Sequence, residues 1–175
     1  MEMRQMPASA AAVFAWHESP EALPTLLPAS RFVQLERRDG GVADGAVVVI
    51  AVGVGAFRLR WVARHFGYDA GRQFCDDQVR GPFRLWRHVH RVEPIGSDQS
   101  LLIDRIVYTL PGGRLAHRWL EPTCRRMLAR AFAERHRLAR RAIMAWAPRH
   151  GRRPSITELR VPLPRPVGQE ASCRA

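Results

Sequence analysis

Apolar and polar residues alternate with a period of two through the middle of the chain, and with a period near 3.6 in the last third before residue 147. The alternation is cleanest over residues 57–66, where Phe57, Leu59, Trp61 and Ala63 interleave with Arg58, Arg60, Val62 and Arg64. Residues 46–54 are apolar almost throughout, and Gly53 and Gly55 allow a bend at their end. Residues 31–38 predict another strand, closed by Asp39-Gly40-Gly41. The stretch from Gly71 to Val92 reads as two strands folded back through Arg80-Gly81-Pro82-Phe83, where Gly frees the backbone and Pro pre-sets φ. After a turn over residues 94–98, Leu101 to Thr109 is the last strand, ended by Pro111-Gly112-Gly113. Six strands, or seven with the extended start at residues 2–7, joined by short turns, describe an antiparallel meander.

Helices flank this meander. Ser9 is a plausible N-cap for a helix over 10–18, Pro20 breaks it, and a short helical piece over 21–27 ends at Pro28. A long helix runs from about Arg114 to Trp146, stopped by Pro148. Leu120, Cys124, Met127, Leu128, Ala131, Leu138, Ala142, Ala145 and Trp146 fall on one side, against Arg125, Arg126, Arg130, Arg137 and Arg140. That stripe needs a partner, and the sheet is the natural one. Arg135 projects within the apolar arc, either snorkelling to solvent or placing a cation in a cavity. Residues 148–175, with Pro and Arg repeated, read as a disordered basic tail.

The polar residues of the Gly71–Val92 hairpin are unusual. In simple register about Gly81-Pro82, Gln78 faces Trp86, Asp76 faces His88 and Phe74 faces His90. A turn near Asp69-Ala70 would place Arg64 beside Asp76 and Phe66 beside Phe74. The turn at 94–98 would place Asp104 beside His90 and Tyr108 beside Trp86. Two rows result, Arg64–Asp76–His88 and Phe66–Phe74–His90–Asp104. Carboxylates beside imidazoles hold tautomer and orientation and poise a proton near neutrality, so His88, His90, Asp76 and Asp104 are the candidate catalytic residues. Acid–base pairs also occur on solvent-facing sheets, and the pattern alone leaves open which face is concave. His88-x-His90 with the two Asp residues is also a possible ligand set for a metal. No nucleophile turn and no glycine-rich phosphate loop is present.

A chain of 175 residues, 46% hydrophobic, is one ordinary globular domain. Its longest apolar run is too short to span a bilayer, and its N-terminus lacks a secretion signal. Cys75, Cys124 and Cys173, odd in number and widely spaced, fit reduced thiols in a cytoplasmic protein. The net charge of +12 is unevenly placed. Residues 1–112 carry 13 Arg and 12 acidic residues, 113–147 nine Arg and two Glu, and 148–175 six Arg and two Glu. The basic helix and tail therefore suggest a solvated face or a weak contact with an acidic surface, whether nucleic acid, anionic membrane or protein.

Phe74, Asp76, Gln78, Gly81-Pro82-Phe83, Trp86, His88 and His90, followed by Asp104 and Tyr108, resemble a motif of the START-related polyketide cyclase and lipid-transport superfamily, SRPBCC. The subgroup includes coenzyme Q-binding-like proteins. VFAWHESPEALPTLLP and LRWVARHFGYDAGRQF also fit it. The resemblance implies an α+β helix-grip fold over residues 1–147, a curved antiparallel sheet of six to seven strands around the C-terminal helix, with a ligand cavity between them. It implies that the His/Asp/Trp/Tyr face looks into that cavity. Arg64, Phe74, Gln78, Trp86, Ile106 and Tyr108 on the sheet, and Met127, Ala131 and Arg135 on the helix, are the expected ligand contacts. No cofactor and no metal are expected, since the superfamily mostly uses no metal in this place. The first expectation is binding of a hydrophobic small molecule (polyketide, isoprenoid or lipid-like). A cyclase or dehydratase acting on such a ligand is the alternative, and a basic-surface interaction the third.

Overall fold

Among the described residues, seven strands and three α-helices follow one another. They are β1 (Glu2–Met6), α1 (Ala10–Glu18), α2 (Ala22–Leu26), β2 (Val33–Asp39), β3 (Val47–Val52), β4 (Leu59–Asp69), β5 (Gln73–Arg80), β6 (Leu85–Gly96), β7 (Gln99–Thr109) and α3 (Gly113–His150). The computed structural model describes residues 1–27 and 32–150, so the tail beyond residue 150 and Pro28 lie outside it. Ser9 caps α1, its hydroxyl accepting from the Ala12 amide at 3.3 Å. A single 3-10 turn at Gly55–Phe57 leads into β4 and leaves Phe57 exposed rather than on a strand. Helix α3 continues past the expected stop at Pro148 to His150. No helix among the described residues is long and apolar enough to cross a membrane.

The strands form one antiparallel sheet in the order β1-β7-β6-β5-β4-β3-β2. Register shifts interrupt the β2–β3, β4–β5 and β6–β7 ladders, and each such bulge bends its strand and increases the twist. The sheet therefore curls toward α1, α2 and α3. The buried cluster sits at one end, where Val13, Phe14 and Trp16 of α1 meet Phe74, Leu102 and Ile143.

The hairpin registers decide which side chains face inward. Across β5–β6, Phe74 pairs with His90 and Asp76 with His88. Across β6–β7, His90 pairs with Asp104 and Trp86 with Tyr108. The β4–β5 register differs by one residue from the expected one. His65, not Arg64, is opposite Asp76, and Phe66 is opposite Cys75 rather than Phe74. Two glycines cause the shift. The turn is three residues long, Ala70 to Arg72, with Gly71 at φ 75°. A bulge then sets Gly67 (φ 63°) and Tyr68 against Phe74 alone. A slip of one residue moves every following side chain to the other face. Arg64 is consequently exposed opposite Asp77, and His65 takes the inward position. The same slip turns Trp61 and Ala63 toward the cavity.

The buried stripe of α3 also differs. Among the residues of this helix whose burial is described, Phe132, His136, Ala139 and Ile143, spaced four, three and four, are the buried ones, while Leu120, Met127 and Ala145 are exposed. Arg125, Arg126, Arg130, Arg137 and Arg140 are exposed on it. Cys124 is a free thiol, and Cys173 lies outside the described residues.

Candidate functional site

A cavity of about 390 Å³ lies between the sheet and α3. Its walls are mainly apolar, with Val48, Ile50 and Trp61 on one side and Leu26 of α2 at one end. Leu128, Ala131 and Phe132 of α3 form the roof. Polar groups concentrate where β4, β5 and β6 present His65, Asp76, His88 and His90 side by side, and His17, Arg38 and Arg135 enter from α1, β2 and α3. The pleat explains this convergence, because residues two apart share a face and neighbouring strands are in register.

Beneath these residues lies a buried network. Asp104 on β7 is 2% exposed. Its Oδ1 is 3.1 Å from His88 Nε2 and 2.8 Å from His90 Nδ1, and its Oδ2 accepts from His136 Nε2 of α3 at 2.7 Å. The His90 contact is close but lies outside hydrogen-bonding alignment. On the cavity side, Asp76 Oδ2 is 3.2 Å from His88 Nδ1 and 3.4 Å from His90 Nε2. The rings are held by packing. Phe74 stacks on His90 at 4.3 Å, and Phe132 meets His88 edge-on at 5.0 Å.

Burial alone would push both carboxyls up and the imidazole of His88 down. Their mutual attraction outweighs it. For Asp76, the charge and hydrogen bonds of His88 and His90 overcome the desolvation, and its pKa falls below the usual carboxylate range. For Asp104, His90, His136 and His88 do the same. The pKa of His88 is raised despite burial, because Asp76 and Asp104 flank it. His17 and His65 show the opposite outcome. Burial dominates and lowers both, His17 to about 4, although the Val13 carbonyl accepts from its Nδ1 at 2.8 Å. Among the described residues, the buried atoms His65 Nδ1 and Trp86 Nε1 have no hydrogen-bond partner, and both side chains line the cavity.

The expected site residues separate into three groups. Asp76, His88, His90, Phe74, Trp86, Met127, Ala131 and Arg135 line the cavity. Asp104 lies one layer behind them. Arg64, Gln78, Ile106 and Tyr108 do not line it. Gln78 is instead used by the β5–β6 turn: its Nε2 donates to the Phe83 carbonyl at 2.6 Å, and its Oε1 accepts from the Phe83 amide at 3.3 Å. Tyr108 sits lower on β7 against Glu121, at 3.5 Å; burial, with Cys124 and Glu121 nearby, pushes its pKa up to about 12. Ile106 is half-buried opposite His88.

His65, His136 and Arg38 were missed by the sequence pattern. His136 could have been found from the four-three-four spacing of Phe132, His136, Ala139 and Ile143. His65 needed Gly67 to be read as a bulge. Arg38 carries no such signal; it lines the cavity while donating to the carbonyls of Ser19 and Pro20 at 3.0 and 2.9 Å. As for metal ligands, Asp76, His88 and His90 each offer one donor atom, and these atoms lie within 4.8 Å of one another.

No protein-family model matches the chain, and no curated protein matches it. Solved structures do match. Norcoclaurine synthase from Thalictrum flavum, in complex with dopamine and hydroxybenzaldehyde, superposes with a TM-score of 0.62 at 17% identity, over 82% of this chain and 84% of that one. The Zhui aromatase/cyclase from Streptomyces sp. R1128 gives 0.55 at 19% identity, over 87% and 94%. A nucleoside-diphosphate sugar epimerase from Corynebacterium glutamicum gives 0.62 at 24% identity, over 79% of this chain and 28% of that one. The chain shares the helix-grip fold of these structures.

Proposed function

We propose that the protein binds a largely apolar small molecule, of polyketide, isoprenoid or other lipid-like type, between the sheet and α3. The cavity of about 390 Å³, mainly apolar with its polar groups concentrated at the His65–Asp76–His88–His90 wall, carries this reading. Its size and its few convergent polar groups suit a small-molecule site. Phe74, Trp86, Met127, Ala131 and Arg135 are the proposed contacts. The side chains of His65 and Asp76, which line the cavity, would meet the polar end of the ligand.

A solvatochromic apolar dye tests the proposal. Dye fluorescence should rise on binding, and native mass spectrometry of protein from its host should reveal a co-purifying apolar molecule. Ala63→Phe, which places a ring into the cavity from β4, should lower dye affinity at least tenfold while the thermal melt stays cooperative. Equal dye binding by this folded variant would place the dye elsewhere and remove the support.

A second reading is acid–base catalysis on such a ligand by His88 with Asp76 and Asp104. The observation favouring it is a buried imidazole with a raised pKa, carboxylates on both sides and the cavity in front. A norcoclaurine synthase and an aromatase/cyclase share the fold, which is consistent with chemistry in such a cavity. Recovery of the co-purifying molecule chemically unchanged after prolonged incubation would count against catalysis and leave binding intact. The third reading, contact with acidic surfaces, draws on the exposed arginines of α3 and on a tail outside the described residues.

A further inference from the structure

The geometry points to a second property of the polar wall: Asp76, His88 and His90 form a binding site for one divalent transition-metal cation of the zinc class, with an open coordination position facing the cavity. Two imidazoles and one carboxylate are a donor set that Zn²⁺ and its neighbours accept, and three protein ligands leave a position for water or a ligand oxygen.

The arrangement of nitrogens carries the inference. Each imidazole turns one nitrogen toward Asp104 Oδ1, His88 by Nε2 at 3.1 Å and His90 by Nδ1 at 2.8 Å. The remaining nitrogens, His88 Nδ1 and His90 Nε2, therefore both face Asp76 Oδ2, at 3.2 and 3.4 Å. Bonds of about 2.0–2.1 Å at tetrahedral angles separate donor atoms by about 3.3–3.4 Å. Two of the three donor separations are already close to that spacing, and all three lie within 4.8 Å.

Asp104 then acts as the carboxylate behind the metal-bound His88, fixing its tautomer and ring direction, and lies 2.8 Å from His90 Nδ1. It is itself anchored to α3 through His136 Nε2 at 2.7 Å. Phe74 stacked on His90 and Phe132 edge-on to His88 restrict rotation of both rings. Charge closes as well, since Asp76 and Asp104, both almost fully buried, balance a divalent ion held by neutral imidazoles. All three donors line the cavity, so the open position points where a small molecule would sit. The inference stands apart from the identity of any organic ligand.

The test uses the full chain after chelator treatment, titrated with Zn²⁺ and Co²⁺ alone. Calorimetry should give one equivalent bound, and Co²⁺ should show the intense visible bands of a four-coordinate site. His90→Gln and Asp76→Asn should each weaken binding more than tenfold, and Asp104→Asn about 10–100-fold. His117→Ala, removing an exposed histidine of α3, should leave it unchanged. Should a variant fail to fold, ¹⁵N imidazole shifts of the unmodified protein decide the matter. Zn²⁺ should move His88 Nδ1 and His90 Nε2. Absence of stoichiometric binding, or shifts confined to His117, overturns the site. Apolar-dye binding is measured in parallel without metal, so loss of one property is distinguishable from loss of the other.

Discussion

His17 shows how one position converts burial into a pH dependence. Its ring is 5% exposed and 6.4 Å from His90, and its Nδ1 proton is already given to the Val13 carbonyl. The charged form has no carboxylate close enough to offset its desolvation, so the folded pKa is about 4 against 6.5 when unfolded. The unfolded chain therefore takes up the proton first as pH falls. Stability contributed by neutral His17 is complete above about pH 6.5 and declines down to about pH 4, by about 3 kcal/mol across that window. Urea unfolding at pH 7 and pH 5 should show a smaller loss on acidification in His17→Leu than in the unsubstituted protein. An identical loss in both would exclude His17 as a source of the acid sensitivity. His88 has the opposite sign, because its folded pKa is raised by Asp76 and Asp104. Its contribution is present below the unfolded value and is lost as pH rises through the folded one.

At the scale of elements, β4 decides what the cavity wall contains. Gly67, at φ 63°, lets the strand carry one extra residue opposite β5, and that residue selects His65 over Arg64 as the neighbour of Asp76. Gly67→Ala should cost about 1–2 kcal/mol, the penalty of a side chain in the left-handed region, measured by chemical denaturation. An unchanged midpoint would mean that the bulge relaxes freely. The β5–β6 and β6–β7 ladders were legible in the sequence because each follows from a turn counted symmetrically. The β4–β5 ladder was not, because nothing in Phe66-Gly67-Tyr68 distinguishes a bulge from a continuous strand without the partner. On α3, a broad apolar arc with Arg135 inside it allowed several centres. The real one runs through His136, a polar residue that only Asp104 makes suitable for burial. The helix-grip order of elements, by contrast, follows from turn spacing and was fully readable.

At the scale of the molecule, the cavity and its polar wall are built from opposite ends of the fold. The sheet supplies Asp76, His88, His90 and Asp104, and the helix supplies His136, Phe132 and the roof. The packed core lies at the α1 end, so the curled sheet stays open between it and the arginine-rich outer surface of α3. A void there lowers stability relative to a filled core, and a molecule that binds only the folded state restores it. Ligand at a hundred times its Kd would add about 2.7 kcal/mol.

The sheet order also sets a folding sequence. Five of its six strand pairs join neighbours in the chain, whereas β1 reaches β7 across most of the meander, pairing Glu2 with Asp104 and Met6 with Ser100. Local hairpins close at small entropic cost, and the long-range pair must wait until β7 exists. β1 is therefore expected to be the last strand to pair. In native-state hydrogen exchange, β1 amides should open at lower free energy than those of β5 and β6. Uniform protection across all three would show that β1 belongs to the folding nucleus. Each such opening would bare the outer edge of the strand that holds Asp104, so β1 is the cover on that side of the network beneath the cavity.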